Sequence, residues 1–244
     1  MNILAIGAHP DDIELGCGGL LLKAVEQGHN VFMYTLTNGS HSGDPIERVN
    51  ELKHSSKMIG ARNLFIDNFE DTKIYLNSEL INHIEFVINK VNADIVYTHS
   101  VVDTHHDHKA IGSAIEEAGR HVPNILAYEM PVTKDFKPQV YYDITDVIDK
   151  KVELMNLYSS QRDKGFTKSD AIKGLAQFRA LQSRLSASVL FVESFEVLKL
   201  SFEQDFRLLK TQAEMITKYS DIQGTLAYMG YPQSVHIEEQ RNTI

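Results

Sequence analysis

Cysteine is almost absent from this chain, since Cys17 is the only one among 244 residues. One cysteine excludes an internal disulfide framework and fits a reducing compartment, although secreted enzymes without bridges share this feature. Long apolar runs are also missing: the longest are broken within about ten residues, whereas a membrane-spanning helix needs roughly 20. No basic leader precedes the first strand-like segment, so we expect a cytoplasmic protein without a transmembrane segment.

Positive charge is scarce as well. The 24 basic residues are outnumbered by 33 acidic residues, and the formal net charge is −9. Because nucleic-acid binding depends on clustered lysine and arginine, we expect no nucleic-acid partner. The apolar share of 43% and the charged share of 23% are ordinary for a globular protein. A chain of this length can therefore form one sizeable α/β domain.

Short runs rich in Ile, Val, Leu and Phe alternate with helix-period segments, as in strands that crossover helices bury on both faces. We predict strands at residues 2–7, 30–37, 63–67, 94–98, 124–129, 139–144 and 192–200. We predict helices at residues 19–27, 46–59, 78–90, 108–118, 147–158 and 169–187. The pattern indicates the α/β class, a Rossmann-like three-layer fold with a mostly parallel sheet and a helical C-terminal part.

Two clusters of histidine and acidic residues follow the first and fourth predicted strands. Residues 8–14 read AHPDDIE, and residues 104–108 read THHDH. If the strand order is 3-2-1-4-5, it reverses between strands 1 and 4, where ligands bind at the carboxyl edge of such a sheet. The clusters are therefore predicted to face each other. Carboxylates gathered in a dry interior require a positive charge among them, and a metal ion would supply it.

The residue types in these clusters suit catalytic zinc, which takes three protein ligands and leaves one position for water. His9 and Asp12 can reach one point from a single loop. One of His105 and His108 can be the third ligand while the other faces the substrate. Zinc lowers the pKa of bound water to about 7, so a nearby carboxylate, Asp11 or Asp12, would orient that water and take its proton.

Structural roles compete with these chemical ones. Asp12 or Asp107 could cap a helix. We expect Glu14 to contact a metal ligand or to cap a helix, rather than to ligate the metal itself. If Cys17 were a fourth zinc ligand, it would occupy the coordination position that water needs. We therefore interpret Cys17 as a packing residue. The glycines in residues 16–19 do not match G-x-G-x-x-G, and we expect them to let a helix pack closely on the sheet. No G-x-S-x-G elbow occurs.

The two clusters together resemble the hallmarks of the PIG-L/LmbE-like family of zinc-dependent N-deacetylases, which act on N-acetylglucosamine-containing small molecules and lipids. AHPDDIE followed by GCGG resembles AHPDDxE with GxGG, and residues 105–108 resemble H-x-D-H. Weaker similarities lie at residues 37–39, at Arg48 and Glu51, and at residues 143–145, 158–161 and 192–195. The resemblance covers about residues 1–200, which we take as the deacetylase domain.

The resemblance implies a small-molecule N-acetylated amino sugar as substrate. It implies zinc on His9, Asp12 and His108, with ferrous iron as the alternative native metal. Asp11 would be the general base. A homo-oligomer is expected. Residues 201–244 extend beyond the similar part, and we expect a C-terminal helical extension there, with a helix at 201–219, packed on the domain or at a subunit interface.

The resemblance also implies roles for four further residues. His105, held by Asp107, would polarise the acetyl carbonyl or its oxyanion and protonate the departing amine. Arg48 and Asn38 would contact the substrate.

Two other classes of function stay open. A metal-dependent phosphoesterase would use similar ligands, but more often two metal ions and nearby basic residues. A non-catalytic sugar- or nucleotide-binding module could keep the fold without the chemistry.

Overall fold

A seven-stranded, mostly parallel sheet forms the centre of residues 1–201, the part of the chain that the computed structural model describes. Its strands are β1 (Asn2–Gly7), β2 (Asn30–Thr37), β3 (Asn63–Phe69), β4 (Ile95–His99), β5 (Asn124–Tyr128), β6 (Val140–Asp143) and β7 (Val192–Leu200). The order is β3-β2-β1-β4-β5-β7-β6, with β1 to β5 parallel and β7 antiparallel to both β5 and β6. The predicted α/β class and the order 3-2-1-4-5 are confirmed.

Helices cover both faces of this sheet. They are α1 (Asp12–Glu26), α2 (Pro45–Ile59), α3 (Ser78–Val91), α4 (His106–Ala118), α5 (Ile148–Asn156) and α6 (Ser169–Ser183). Successive side chains of β1 enter different apolar clusters, because neighbouring residues of a strand point to opposite faces. Ile3 and Ala5 pack with α1, α2 and α5, whereas Leu4 and Ile6 pack with α3 and α4. The result is three layers with a core on each side of the sheet.

Helix α1 begins at Asp12, earlier than the predicted start at Gly19, and it is kinked. Cys17 has non-helical backbone angles (φ −142°, ψ 17°). Beyond the kink, the backbone N–H groups of Gly19 and Leu20 donate to the two carboxylate oxygens of Glu193 at 2.8 Å. The carboxylate thus caps a second helical section, as a capping side chain does at a helix N-terminus. The predicted start coincides with this section.

The glycines of α1 allow close packing, as expected. A Cβ atom at Gly16 would lie 2.2 Å from the ring of Tyr128, and one at Gly19 would lie 2.8 Å from Ile144. Cys17 is fully buried in the apolar cluster around α1. These close approaches hold the middle of α1, around its kink, close to Tyr128 and Ile144.

Residues 202–244 lie outside the described part, and with them nearly all of the expected C-terminal extension. Among the helices that are described, none combines the length and the apolar character that crossing a membrane requires.

Candidate active site

A cavity of about 310 Å³ opens at the carboxyl edge of the sheet, where β1 and β4 are neighbours and the order reverses. Short connections after these strands place both sequence clusters in its wall. Six of the eight predicted site residues line the cavity: His9, Asp11, Asp12, Arg48, His105 and His108. Asn38 and Asp107 are not in the wall.

Three atoms that could each donate an electron pair to a metal ion lie at the base of the cavity and form a triangle with equal sides, which we call the donor triangle. Nδ1 of His9 lies 3.3 Å from Oδ2 of Asp12 and 3.3 Å from Nε2 of His108. The Asp12 oxygen lies 3.3 Å from the same His108 nitrogen. Ligands about 2.0–2.1 Å from a tetrahedral zinc ion are separated by about 3.3–3.4 Å. The donor types and their spacing therefore fit a divalent cation.

The outward nitrogens of both histidines lie close to carboxylates. Nε2 of His9 lies 3.1 Å from Asp71 and 3.1 Å from Asp107, and Nδ1 of His108 lies 3.1 Å from Asp103. A proton on these outward nitrogens leaves the inward nitrogens as acceptors. Metal-ligating histidines commonly have such partners, which fix the tautomer and the orientation of the ring.

The same carboxylates determine the charge of the site. Burial lowers the pKa of His108, but Asp12 and Asp103 outweigh it and raise this pKa to about 9. Burial likewise opposes the charged form of His9, yet hydrogen bonds to Asp107 and Asp12 hold its pKa well above the usual value. The base of the cavity thus attracts positive charge, which a divalent cation also supplies.

Asp11 lies beside this triangle and has a left-handed backbone (φ 107°). Nη2 of Arg48 is 3.2 Å from its Oδ2, and the same guanidinium donates to the carbonyl of Pro10. Burial raises the pKa of Asp11 to about 7, with Arg48 acting in the opposite direction. Arg48 is itself only 2% exposed. Its observed partner is therefore the predicted base.

His105 also lies close to the triangle and is the N-cap residue of α4. Its Nδ1 accepts the backbone N–H of Asp107 at 3.2 Å, so the ring proton of the neutral form lies on Nε2. Its ring centroid is 4.8 Å from that of His9 and 4.7 Å from that of His108. Burial, followed by the charge of His108, lowers the pKa of His105.

The structure gives Asp107 a different partner from the expected one. Its carboxylate contacts the ring of His9 and accepts the backbone N–H groups of Thr72 and Ile74 at 2.9 and 3.0 Å. It does not hold the ring of His105, because α4 turns the fully buried carboxylate toward the loop after β3. Only the backbone of Asp107 reaches His105.

Asn38 also differs from the expectation of a substrate contact. Its side-chain oxygen accepts the backbone N–H of Ser40 at 3.2 Å, a turn interaction typical of asparagine. The neighbouring residues His41 and Ser42 line the cavity instead. Asn38 therefore shapes the loop from which these side chains reach the wall.

Sequence reasoning missed three residues of the site: Asp71, His99 and Asp103. His99 is fully buried, and its Nε2 accepts the backbone N–H of Ala8 at 3.0 Å. That lone pair is occupied, so the ring supports the loop after β1 and is a poor candidate for a ligand. All three residues lie at the carboxyl end of β3 or β4. Their position at this edge was the available signal.

Glu14 is not part of the triangle. Its Oε1 accepts the hydroxyl groups of Ser55 at 2.5 Å and Tyr158 at 2.7 Å, and the side chain is fully buried. Burial raises its pKa, against the effect of these hydrogen bonds. Glu14 thus ties the first turn of α1 to α2 and to the segment after α5.

Comparison with known proteins shows the family to which this chain belongs. The family model described as GlcNAc-PI de-N-acetylase (PIG-L) matches residues 4–119, a range that contains both sequence clusters. The uncharacterized deacetylase YaiS of Escherichia coli (strain K12) is 38% identical over 153 residues, which cover 59% of this chain and 83% of YaiS. The chain belongs to the PIG-L family.

Two further proteins show how far the likeness to PIG-L relatives extends. The diacetylchitobiose deacetylase of Thermococcus kodakarensis is 28% identical over 188 residues, 66% of this chain and 70% of that protein. The crystal structure of the conserved protein TT1542 from Thermus thermophilus has a TM-score of 0.74 and 22% identity, and the match covers 82% and 96% of the two chains. This last likeness shows the shared fold. The protein is thus a PIG-L member with deacetylases among its relatives.

Proposed function

We propose that this PIG-L protein is a metal-dependent hydrolase that removes the acetyl group from an N-acetylglucosamine-type sugar conjugate, giving acetate and a free amine. The observation that carries the proposal is the triangle of three donor atoms from His9, Asp12 and His108, each 3.3 Å from the other two. Asp11 and His105 line the same cavity, so two groups capable of acid–base chemistry accompany the triangle.

The triangle would hold the ion through Nδ1 of His9, Oδ2 of Asp12 and Nε2 of His108. Zinc is the metal we propose, and ferrous iron is the alternative because the same ligand types suit both. When bound, the ion supplies Lewis acidity, which lowers the pKa of water and polarises a carbonyl group.

Side chains of the protein would then accept and donate the protons that the reaction moves. The Asp11 carboxylate, which is paired with Arg48, takes a proton from a water molecule as the oxygen of that water adds to the acetamide carbon. The Nε2–H of His105 donates to the carbonyl oxygen as negative charge develops there. The C–N bond then breaks as Asp11 passes the proton it took from water to the amine nitrogen, leaving acetic acid, which ionises to acetate.

The alternative functions receive less support. A phosphoesterase needs cationic groups around the phosphate that reacts, at the base of the cavity, but the buried Arg48 there is occupied by Asp11. A binding module without chemistry would not need a paired carboxylate and an oriented histidine in the same cavity as the donor triangle. The deacetylases among the relatives also favour amide hydrolysis.

The test is metal analysis followed by an assay of amine release. Protein stripped with a chelator and reconstituted with Zn²⁺ or Fe²⁺ is given N-acetylglucosamine, N,N′-diacetylchitobiose and p-nitrophenyl phosphate. We expect one ion per chain, amine release that depends on it, and no phosphatase activity. Amine release by the metal-free protein, or hydrolysis of the phosphate ester alone, would refute the proposal. His54→Ala, at an exposed residue of α2, is the control for histidine substitutions.

A further inference from the structure

The cavity has a base and a mouth that differ in exposure and chemistry. At the base, Asp12 and His108 are 4% and 5% exposed. At the mouth, the side chain of His41 is 53% exposed and Val132 is 48% exposed. A sugar with its acetamide at the base would therefore direct its remaining substituent, the aglycone, toward the residues of the mouth.

Lys164 is the cation of this mouth. It lines the cavity and is partly buried, and its Nζ donates to Oγ of Ser42 at 3.2 Å. The ring of Phe166 lies 5.9 Å from the same nitrogen. Among residues 1–201 the ammonium forms no ion pair, whereas the guanidinium of Arg48, the other strong base of the wall, is paired with Asp11.

The backbone around Lys164 is fixed. The hydroxyl of the buried Thr167 donates to the carbonyls of Gln161 and Lys164 at 3.0 and 2.8 Å. The Gln161 side chain donates to the carbonyl of Ser42 at 2.9 Å. The segment that carries the ammonium is therefore joined to the loop on the same wall, and the charge is presented from a rigid support.

We propose that Lys164 recognises an anionic group, a carboxylate or a phosphate, on the aglycone of the acetylated sugar. This assignment rests on the proposed function, which fixes the acetamide at the base. A lysine ammonium binds either anion as a point charge. Residues 130–132 (Met-Pro-Val) also line the cavity and offer apolar contact to the body of the aglycone. The acidic base would repel an anion, so the charged end belongs at the mouth.

The test compares three glycosides with the metal-loaded enzyme: the methyl glycoside of N-acetylglucosamine, its carboxymethyl glycoside and N-acetylglucosamine 1-phosphate. We expect kcat/KM for an anionic substrate to exceed that for the neutral one about tenfold, between the effects of an exposed ion pair and of a buried charged hydrogen bond. The preference should fall as salt is added. Whichever anion is favoured identifies the source of the charge.

Variants separate this assignment from a general effect on the enzyme. Lys164→Met should remove the preference, Lys164→Arg should keep most of it, and Lys53→Met, at an exposed lysine of α2, should change nothing. An equal ratio of anionic to neutral kcat/KM in wild type and Lys164→Met would overturn the proposal. If no glycoside is hydrolysed, the proposed function fails. Binding of the three glycosides to the metal-loaded protein is then measured by calorimetry. Equal affinities for the anionic glycosides and the neutral one would overturn the assignment of Lys164.

Discussion

Single residues at the base of the cavity are held in positions that cost energy. Asp11 has a φ of 107°, a region that side-chain-bearing residues rarely adopt and that costs about 1–3 kcal/mol. Its ion pair with Arg48, together with the start of α1 at the next residue, offsets this cost. The strained backbone accompanies a carboxylate that lines the cavity, where the proposed reaction requires a base.

Asp11→Asn is expected to lower kcat by about 10²–10⁴, because the amide cannot take a proton from water. Metal content should stay near that of the wild type, since Asp11 is outside the donor triangle, and asparagine tolerates a positive φ. Amine release and metal content are measured on the same samples. Asp170→Asn, at an exposed acid of α6, serves as the matched control. Full activity of Asp11→Asn would show that another group is the base.

At the scale of elements, the kinked helix α1 begins inside the first cluster, at Asp12. Glu193 of β7 caps the section after the kink, and Lys151 of α5 donates to the carbonyl of Leu15 before it, at 2.7 Å. Lys151 and Glu193 are themselves 2.6 Å apart and buried. A single buried ion pair thus satisfies the backbone groups that the kink leaves without helical partners.

Glu193→Ala should reduce the free energy of unfolding by about 3–5 kcal/mol, because it removes the cap and leaves a buried ammonium without its partner. Lys173→Met breaks an ion pair with Asp149, whose side chain is 81% exposed, and should cost less than about 1 kcal/mol. Urea unfolding of both variants gives the comparison. Equal losses would mean that the buried pair is unimportant for the kink.

Two glycines provide a second matched pair. Gly16→Ala would place a methyl group 2.2 Å from the buried ring of Tyr128, so we expect a loss of about 1–3 kcal/mol in the free energy of unfolding. Gly174 lies within α6 with open space around its Cα, and Gly174→Ala should stabilise the protein by about 0.4–1 kcal/mol. Thermal unfolding measures both, and a stabilising Gly16→Ala would contradict the close packing.

The sequence sufficed for those features that local pattern determines. Apolar runs predicted β1 to β5, and with the strand order assumed for them, which the structure has, the two clusters predicted which loops meet. The start of α1 could not be predicted, because the kink depends on Glu193, which is distant in the chain. The contacts of the Asp107 carboxylate could not be predicted either. It accepts the backbone N–H groups of Thr72 and Ile74, which are distant in the chain and come close to it only in the folded protein.

At the scale of the whole molecule, the donor triangle connects two remote parts of the chain. His9 and Asp12 follow β1, whereas His108 lies in α4, after β4. The unfolded chain does not bring these residues together, so an ion bound to the triangle favours the folded state over the unfolded one. We therefore expect stability and metal occupancy to be coupled in this protein.

Loading the metal-free protein with Zn²⁺ at 100 times its Kd should raise the free energy of unfolding by about 2.7 kcal/mol. For a domain of this size that corresponds to roughly 5–10 °C in Tm. The shift should vanish in His108→Ala, which removes one donor of the triangle, and should persist in His54→Ala on the outer side of α2. Scanning calorimetry with and without the ion provides the measurement. A full shift in His108→Ala would place the stabilising ion elsewhere in the protein, and the donor triangle would then lose its assignment.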